Sequence, residues 1–442
     1  MSDHRLQHLI NTITRVDGQK PSPRLSKHQK MATSPFVFYR GSAQLFYADI
    51  KGGIISIPKE CEAVPLTSVV GDCHTSNFGF LTEEGSHGDT VIFSPNDFDD
   101  ACVGRAEWDI LRFLTSLHLA KVHCDGVVDG RYLSDDINPT KPVVSFKQVS
   151  DAQQAFIASY VKTCKRVVDN AAVLNEAVDY CPNAVPSKLT KLYKKAKARS
   201  AGGEDFLTKS ALAKAVHLVD DGLAFRTDEE KFSSLNEHTY STLLNVFAPY
   251  MDDAVVDIVK RHNAGTGSVN MSRYYFLVGP SKPHNPTSFA HCHIVEVKQQ
   301  REAAPLHYFP SINPVNRLNA AHLTARCQRR MQRKPDLVLD EVMFNNAHYL
   351  TRSRHHAKVG VDPHDIAMGT KAIEGGFTYF ADLCGYTLAL AHCRGDRRST
   401  RFASHAANTF GQIKDLLIKI ANLYAEQVVE DHALFESMLK NN

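Results

Sequence analysis

The segment from Gly71 to Asp100 constrains this chain more than any other. It reads GDCHTSNFGF, then a turn-rich stretch, then SPNDFDD. Ser68, Val69 and Val70 predict a buried strand running into Gly71. Asp72, His74 and Asn77 then share one tight loop. Residues 78–81 and 91–93 predict two short strands, joined by turn-forming residues from Glu83 to Asp89. The hairpin delivers the chain to Asp97, Asp99 and Asp100. A hard cation such as Mg2+ takes a few oxygen ligands of this kind and completes its shell with substrate phosphates. One such Asp taken alone reads as a turn former. The combination of Asp72, Asn77 and Asp97 points to a site.

With 442 residues the chain is long enough for a two-lobed enzyme. A content of 43% hydrophobic and 22% charged residues places it with ordinary globular proteins. The net charge of +3 gives no global attraction to nucleic acid, so no nucleic-acid partner is expected. The N-terminal text MSDHRLQHLINTITRVDG lacks the apolar core of a signal peptide, and no apolar run reaches spanning length. A cytoplasmic location without membrane attachment is the expectation. The ten cysteines include no CxxC pair and read as reduced and mostly buried. His291-Cys292-His293 reads as a strand with incidental histidines, because no second ligand pair stands at zinc-site spacing. Oligomeric state is not legible.

Residues 1–30 are polar and basic and predict a leading helix and an extended arm. Residues 31–50, rich in aromatics, predict a short helix or strand beside the site. Residues 107–118 have helical periodicity, with Trp108, Ile110, Leu111, Leu114 and Leu117 on the apolar face. Residues 125–142 read as a loop and residues 145–200 as largely helical. The basic tract 188–199 reads as a solvated helix face, with a patch for an anionic partner as the alternative. Gly265-Thr266-Gly267-Ser268 lies between residues 252–262, read as helix, and strand-like residues 273–278. Backbone N–H groups of such a turn can approach phosphates because no Cβ intervenes, although glycine turns are common. A long turn marked by Gly279-Pro280, Lys282-Pro283 and Asn285-Pro286 leads to strand-like residues 293–298, which end at Lys298. Residues 320–331, 370–390 and 409–439 read as helices, and there is no internal repeat.

Asp72 and Asn77 stand five positions apart, the separation of the catalytic Asp and the metal-binding Asn in a kinase catalytic loop. Asp97 falls where a second metal-binding Asp is expected. The glycine turn, the strand and Lys298 resemble the loop and lysine that grip nucleotide phosphates in kinases. In a kinase those parts precede the catalytic loop; here they follow it. The C-terminal text YTLALAHCRGD, residues 386–396, matches a helix that leads into the catalytic loop in aminoglycoside-phosphotransferase-like kinases. No such loop follows it here. A circular permutation with its break between that helix and the loop accounts for the order, since chain termini often lie close together.

The motifs SPFVFYRG (34–41), GDCHTSNFG (71–79), NDFDD (96–100), EWDILRF (107–113), GTGSV (265–269), VEVK (295–298) and ALAHCRGD (389–396) together resemble the DUF2252 family of bacterial proteins. That family is related to the protein-kinase-like and aminoglycoside-phosphotransferase-like superfamily. The resemblance covers most of the chain. It implies that Asp72 orients an acceptor hydroxyl or takes its proton, with His74 shaping the loop or serving proton transfer. It implies Asn77 and Asp97 as Mg2+ ligands, and Asp99 as a further ligand or a hydrogen-bond partner of the loop. Gly265, Gly267, Ser268 and Lys298 would hold the nucleotide. Asp109 would brace the catalytic loop through backbone amides. Arg40 would bind phosphate or pair with a carboxylate, and Arg352 and Arg354 would be mainly structural. Two departures stand out: Asn270 replaces a third glycine, and Arg326 replaces the Glu expected to pair with Lys298.

The implied fold is a two-lobed α+β kinase-like one, circularly permuted. Residues 1–30 would form an arm, 31–125 the catalytic-loop and metal segment, and 126–250 the helical part of the large lobe. Residues 251–355 would form the small nucleotide-binding lobe, and 356–442 the C-terminal helices of the large lobe. The implied function is a Mg2+- and ATP-dependent phosphotransferase acting on a small-molecule or protein hydroxyl. The two departures keep open a nucleotide-binding pseudokinase, and nucleotidyl transfer is a variant of the same site. A two-metal phosphoesterase ranks last, because it needs an upstream Asp-x-His that Asp3-His4 does not supply.

Overall fold

Alternating β-branched and aromatic residues in the middle of the chain build a six-stranded antiparallel sheet. A computed structural model describes the chain except residues 1, 133–138, 180–186, 220–221, 229, 263–270, 282–284, 397–398 and 442. Across the sheet the strands run Asp340–Phe344, Ala347–Ser353, His293–Gln299, Arg273–Gly279, Ala254–Arg261 and Phe232–Ser233. The register sets Glu296 opposite Arg352 and Lys298 opposite Arg273. Alternate residues share a face, so these four charged side chains lie together. On the other face Phe276, Val295, Val297 and Tyr349 pack with Leu243 and Phe247 of helix Glu237–Phe247.

Residues 254–261 form a strand, where the sequence pattern reads as a helix. Val255, Val256, Ile258 and Val259 explain the difference. Such side chains lose χ1 freedom in a helix and fit a pleated surface, and here Ile258 pairs with Phe276. Residues 26–31 are helical rather than extended. Helix Ala106–Val128 runs on past the expected loop start at Asp125. Only His293 of the histidine pair is on a strand; His291 caps the preceding helical turn.

Below the sheet lies a helical body. Helix Phe146–Asp169 packs against helix Phe377–Gly395, and a Cβ at Gly385 would come within 2.2 Å of the Phe156 carbonyl oxygen. That close approach requires glycine. Phe113 stacks on Phe156 at 4.3 Å between ring centroids. Helix Ser2–Asp17 joins this body, burying Leu9 and Ile13, while Arg5 bridges Asp49 at 2.6 Å and Asp431 at 2.5 Å. Helices Arg401–Gln412 and Lys414–Lys440 close the chain. No helix among the described residues is long and apolar enough to cross a membrane.

A three-stranded sheet joins the two parts. Phe78–Thr82 pairs with Val91–Pro95 on one side and with Lys358–Gly360 on the other. Residues 354–357 therefore run directly from the last strand of the large sheet to the hairpin that frames the Asp72 loop. The architecture is α+β with antiparallel sheets.

Candidate functional site

Gly71 opens the site loop at φ +82, and a Cβ there would lie 1.9 Å from the carbonyl oxygen of Asp100. Only glycine allows the Asp72 loop and the Asp97–Asp100 turn to meet this closely. Asp109, fully buried, accepts hydrogen bonds from the amides of Val70 at 2.7 Å and Gly71 at 3.0 Å. His392 Nε2 lies 3.0 Å from the same carboxylate, and its Nδ1 lies 2.7 Å from the Tyr160 hydroxyl. The end of the C-terminal ALAHCRGD helix is thus seated under the loop. Asn77 donates its amide to the Asp72 carbonyl at 2.7 Å, which turns its own oxygen away from that bond.

Arg112 grips Asp72 Oδ1 through Nε at 2.8 Å and Nη2 at 2.6 Å. Burial alone would push the Asp72 carboxyl up; the Arg112 guanidinium, with a smaller contribution from His74, holds it well below the usual range. Asp72 Oδ2 lies 3.6 Å from His74 Nε2. His74 is buried, and burial lowers its pKa against the pull of Asp72.

On the Asp97–Asp100 turn, each carboxylate has a different environment. Burial and then the neighbouring Asp99 push the Asp97 carboxyl up, and Lys358, Lys298 and Arg352 only partly oppose this. Asp97 Oδ1 accepts the Asp99 amide at 3.1 Å. Asp99 would also be raised by burial, but Lys298 and Arg352 hold it far down. Lys298 Nζ contacts Asp99 Oδ2, and Arg352 lies 3.2 Å from Oδ1. Asp100 pairs with Arg301 at 2.9 Å and accepts the Ala304 amide at 2.7 Å. Glu296 joins Arg273 and Arg352, each at 3.0 Å, and these cations overcome burial to hold it down to about 2. A continuous ionic network therefore ties the large sheet to the turn.

The two sides enclose a cleft of about 460 Å³. Asp72, His74, Asn77, Asp97 and Asp99 line one wall, and Arg273, Lys298, Arg352 and Arg354 line the other. Arg40 also reaches the cleft, while Asp109 lies beneath the loop. Gly265, Gly267, Ser268 and Asn270 lie outside the described residues. Arg326 is half-buried and not part of the lining; Gln328, on the same helix, is. Lys298 thus meets Asp99 and no Glu of that helix.

Sequence reasoning assigned no role to Arg112, although it stands three residues after Asp109, the spacing of one helix face. It also missed Lys27, Arg301 and Lys358, and it read Arg199 as part of a solvated face. Eleven Lys and Arg side chains face five Asp and Glu in the cleft, an excess that suits a polyanion. One His/Asp cluster with metal-like spacing occurs among the described residues, Asp362, His364 and Asp365. It forms the capping box of a short helix, with Lys188 on Asp365.

The fold and the cleft define an α+β protein in which a helix-backed loop and an antiparallel sheet face one another across an ion-lined cavity. The chain belongs to the family described as uncharacterized protein conserved in bacteria (DUF2252), which matches residues 20–126 and 141–438. No curated protein and no solved structure matches it.

Proposed function

We propose that this protein is a Mg2+- and ATP-dependent phosphotransferase with a circularly permuted kinase-like fold. One observation carries the reading: Asp72, Asn77 and Asp97 share a cleft with Lys298, on a lining with a large cationic excess. The seating of His392 beneath the Asp72 loop supports the permutation, because it joins the C-terminal helix to the loop that would follow it in an unpermuted chain.

The Asn77 and Asp97 oxygens suit Mg2+. The Asp97 carboxyl sits in surroundings that disfavour its charge, and an added cation would relieve this. Asp99 Oδ2 is held by Lys298, while Oδ1 lies 3.2 Å from Arg352 without a hydrogen bond and would be free to serve the ion as well. Bound there, the ion would neutralise phosphate charge. Lys298 and Arg352 would hold the other phosphate oxygens, exchanging part of their hold on Asp99. In the transfer, the acceptor oxygen forms a bond to the γ-phosphorus as the bond to the β–γ bridging oxygen breaks, and that electron pair leaves with ADP. Asp72 Oδ2 orients the acceptor hydroxyl and takes its proton late, when the new bond has acidified it. A carboxyl held this low is a weak base, which fits a loose transition state needing little early proton removal.

Incubation with Mg-ATP and a mixed pool of hydroxy compounds, read by ADP release, tests this. Asp72→Asn and Asp97→Ala should each lower the rate by at least about a hundredfold. Unchanged rates in both variants refute the assignment. A second reading, nucleotide binding without turnover, is favoured by the commitment of Lys298 and Arg352 to Asp99. Mg-ATP binding with no ADP release from any pool would select it.

A further inference from the structure

Beside Asp72, three polar side chains on the cleft lining each carry a buried atom without a hydrogen-bond partner among the described residues. Arg40 lies in the last turn of helix Pro35–Gly41, and Gln44 lies in the first turn of the next helix, Ala43–Lys51. Both line the cleft next to His74. Gln44 and His74 are each only 2% exposed. The atoms are Arg40 Nε, Gln44 Nε2 and His74 Nδ1. Buried polar atoms are ordinarily satisfied, so a cluster of unsatisfied ones on a cavity wall marks a place for a ligand.

The charges on this side define that ligand. Two carboxylates on this side of the cleft already have a cation: Asp72 has Arg112 at 2.6 Å and Asp100 has Arg301 at 2.9 Å. Arg40 has no carboxylate partner among the described residues; its guanidinium lies 5.9 Å from the Phe36 ring centroid. An amine-bearing acceptor placed against this cluster would face the Arg40 guanidinium and find Asp72 and Asp100 already paired. A phosphate or carboxylate group would meet a guanidinium that suits it in a bidentate mode, with the Gln44 amide as a further donor and His74 Nδ1 open to a hydroxyl of the same compound.

We infer that Arg40, Gln44 and His74 form an acceptor subsite for a small hydroxy compound bearing a phosphate or carboxylate group, with its hydroxyl directed to Asp72. The inference rests on the phosphotransferase reading for the role of the ligand, but the anion subsite itself can be tested apart from it. Thermal unfolding is followed with the nucleotide site saturated by a non-hydrolysable Mg-ATP analogue. Glycerol 3-phosphate, 3-phosphoglycerate, glycerol, glucosamine and a serine-containing peptide are then added separately. The two anionic compounds should stabilise the wild-type protein and the other three should not. Arg40→Gln should weaken anion binding at least tenfold, and Arg40→Lys should recover part of it. Stabilisation of each variant by the analogue alone reports that it folds. Equal binding of glycerol or glucosamine, binding of the peptide alone, no anion binding, or an unchanged affinity in Arg40→Gln overturns the subsite. Stabilisation by the anions without stabilisation by the Mg-ATP analogue leaves the subsite standing and removes the nucleotide reading instead. In that case circular dichroism replaces the analogue as the fold check for the variants.

Discussion

The two walls of the cleft are held by different forces. The Asp72 wall is clamped from below: Asp109 binds two backbone amides and meets His392, and all of this is buried. The sheet wall is held to the Asp97–Asp100 turn by ion pairs among Lys298, Arg352, Arg273, Asp99 and Glu296. The first wall is pre-organised before any ligand arrives. The second is an electrostatic contact, and under the proposed function a phosphate chain would enter it by replacing a carboxylate as the partner of Lys298 or Arg352. A cleft built this way keeps Asp72 fixed and lets its cationic side respond to charge.

The comparison can be broken most severely at Asp109. Asp109→Ala strands two buried amides and His392, and should cost about 3–5 kcal/mol in urea unfolding. A loss below about 1 kcal/mol would mean that the loop is not clamped from beneath.

Glu107, on the same helix, is the next test, with the opposite sign. It is 1% exposed, and burial raises it from 4.5 to about 7 despite its own backbone hydrogen bond and Arg105. The folded state therefore binds the proton more tightly than the unfolded chain. Stability should fall as pH rises from 4.5 to about 7 and then level off. Glu107→Gln should remove that slope and stabilise the protein above pH 7 by about 3 kcal/mol, read from paired unfolding curves across pH.

Lys298→Met should cost less, about 1–2 kcal/mol, because Arg352 still faces Asp99. The smallest effect distinguishes the walls by acid. Asp99 and Glu296 sit below their ordinary range. Their contribution is full above the unfolded carboxylate pKa and is lost as pH falls towards their folded values, near 2 for Glu296. Hydrogen exchange on acidification should loosen the strand His293–Gln299 before the amides of Val70 and Gly71. Simultaneous loosening would show that the walls are not held differently.

The Asp72 wall was legible because its parts fall within thirty or so residues and each short spacing has a local meaning. Asp109 and Arg112 share one helix face, so even the partner of Asp72 left a signal. The sheet wall left far less. Lys298 meets Asp99 through the register of the sheet and the short link at residues 354–357, which no local pattern encodes. The strand Ala254–Arg261 was misread because a short apolar run carries both periodicities until a neighbour is known. The cationic cleft was hidden by a net charge of only +3, since the lining gathers Lys27, Arg199, Arg301 and Lys358 from distant segments.

The central claim is that both walls bind one Mg-nucleotide. Thermal unfolding of the wild-type protein and of Asp97→Ala with ATP, each with and without Mg2+, tests it most directly. The account predicts a large wild-type shift that requires Mg2+ and is lost in Asp97→Ala. An ATP shift that ignores Mg2+ and survives the substitution, or no shift at all, would contradict it.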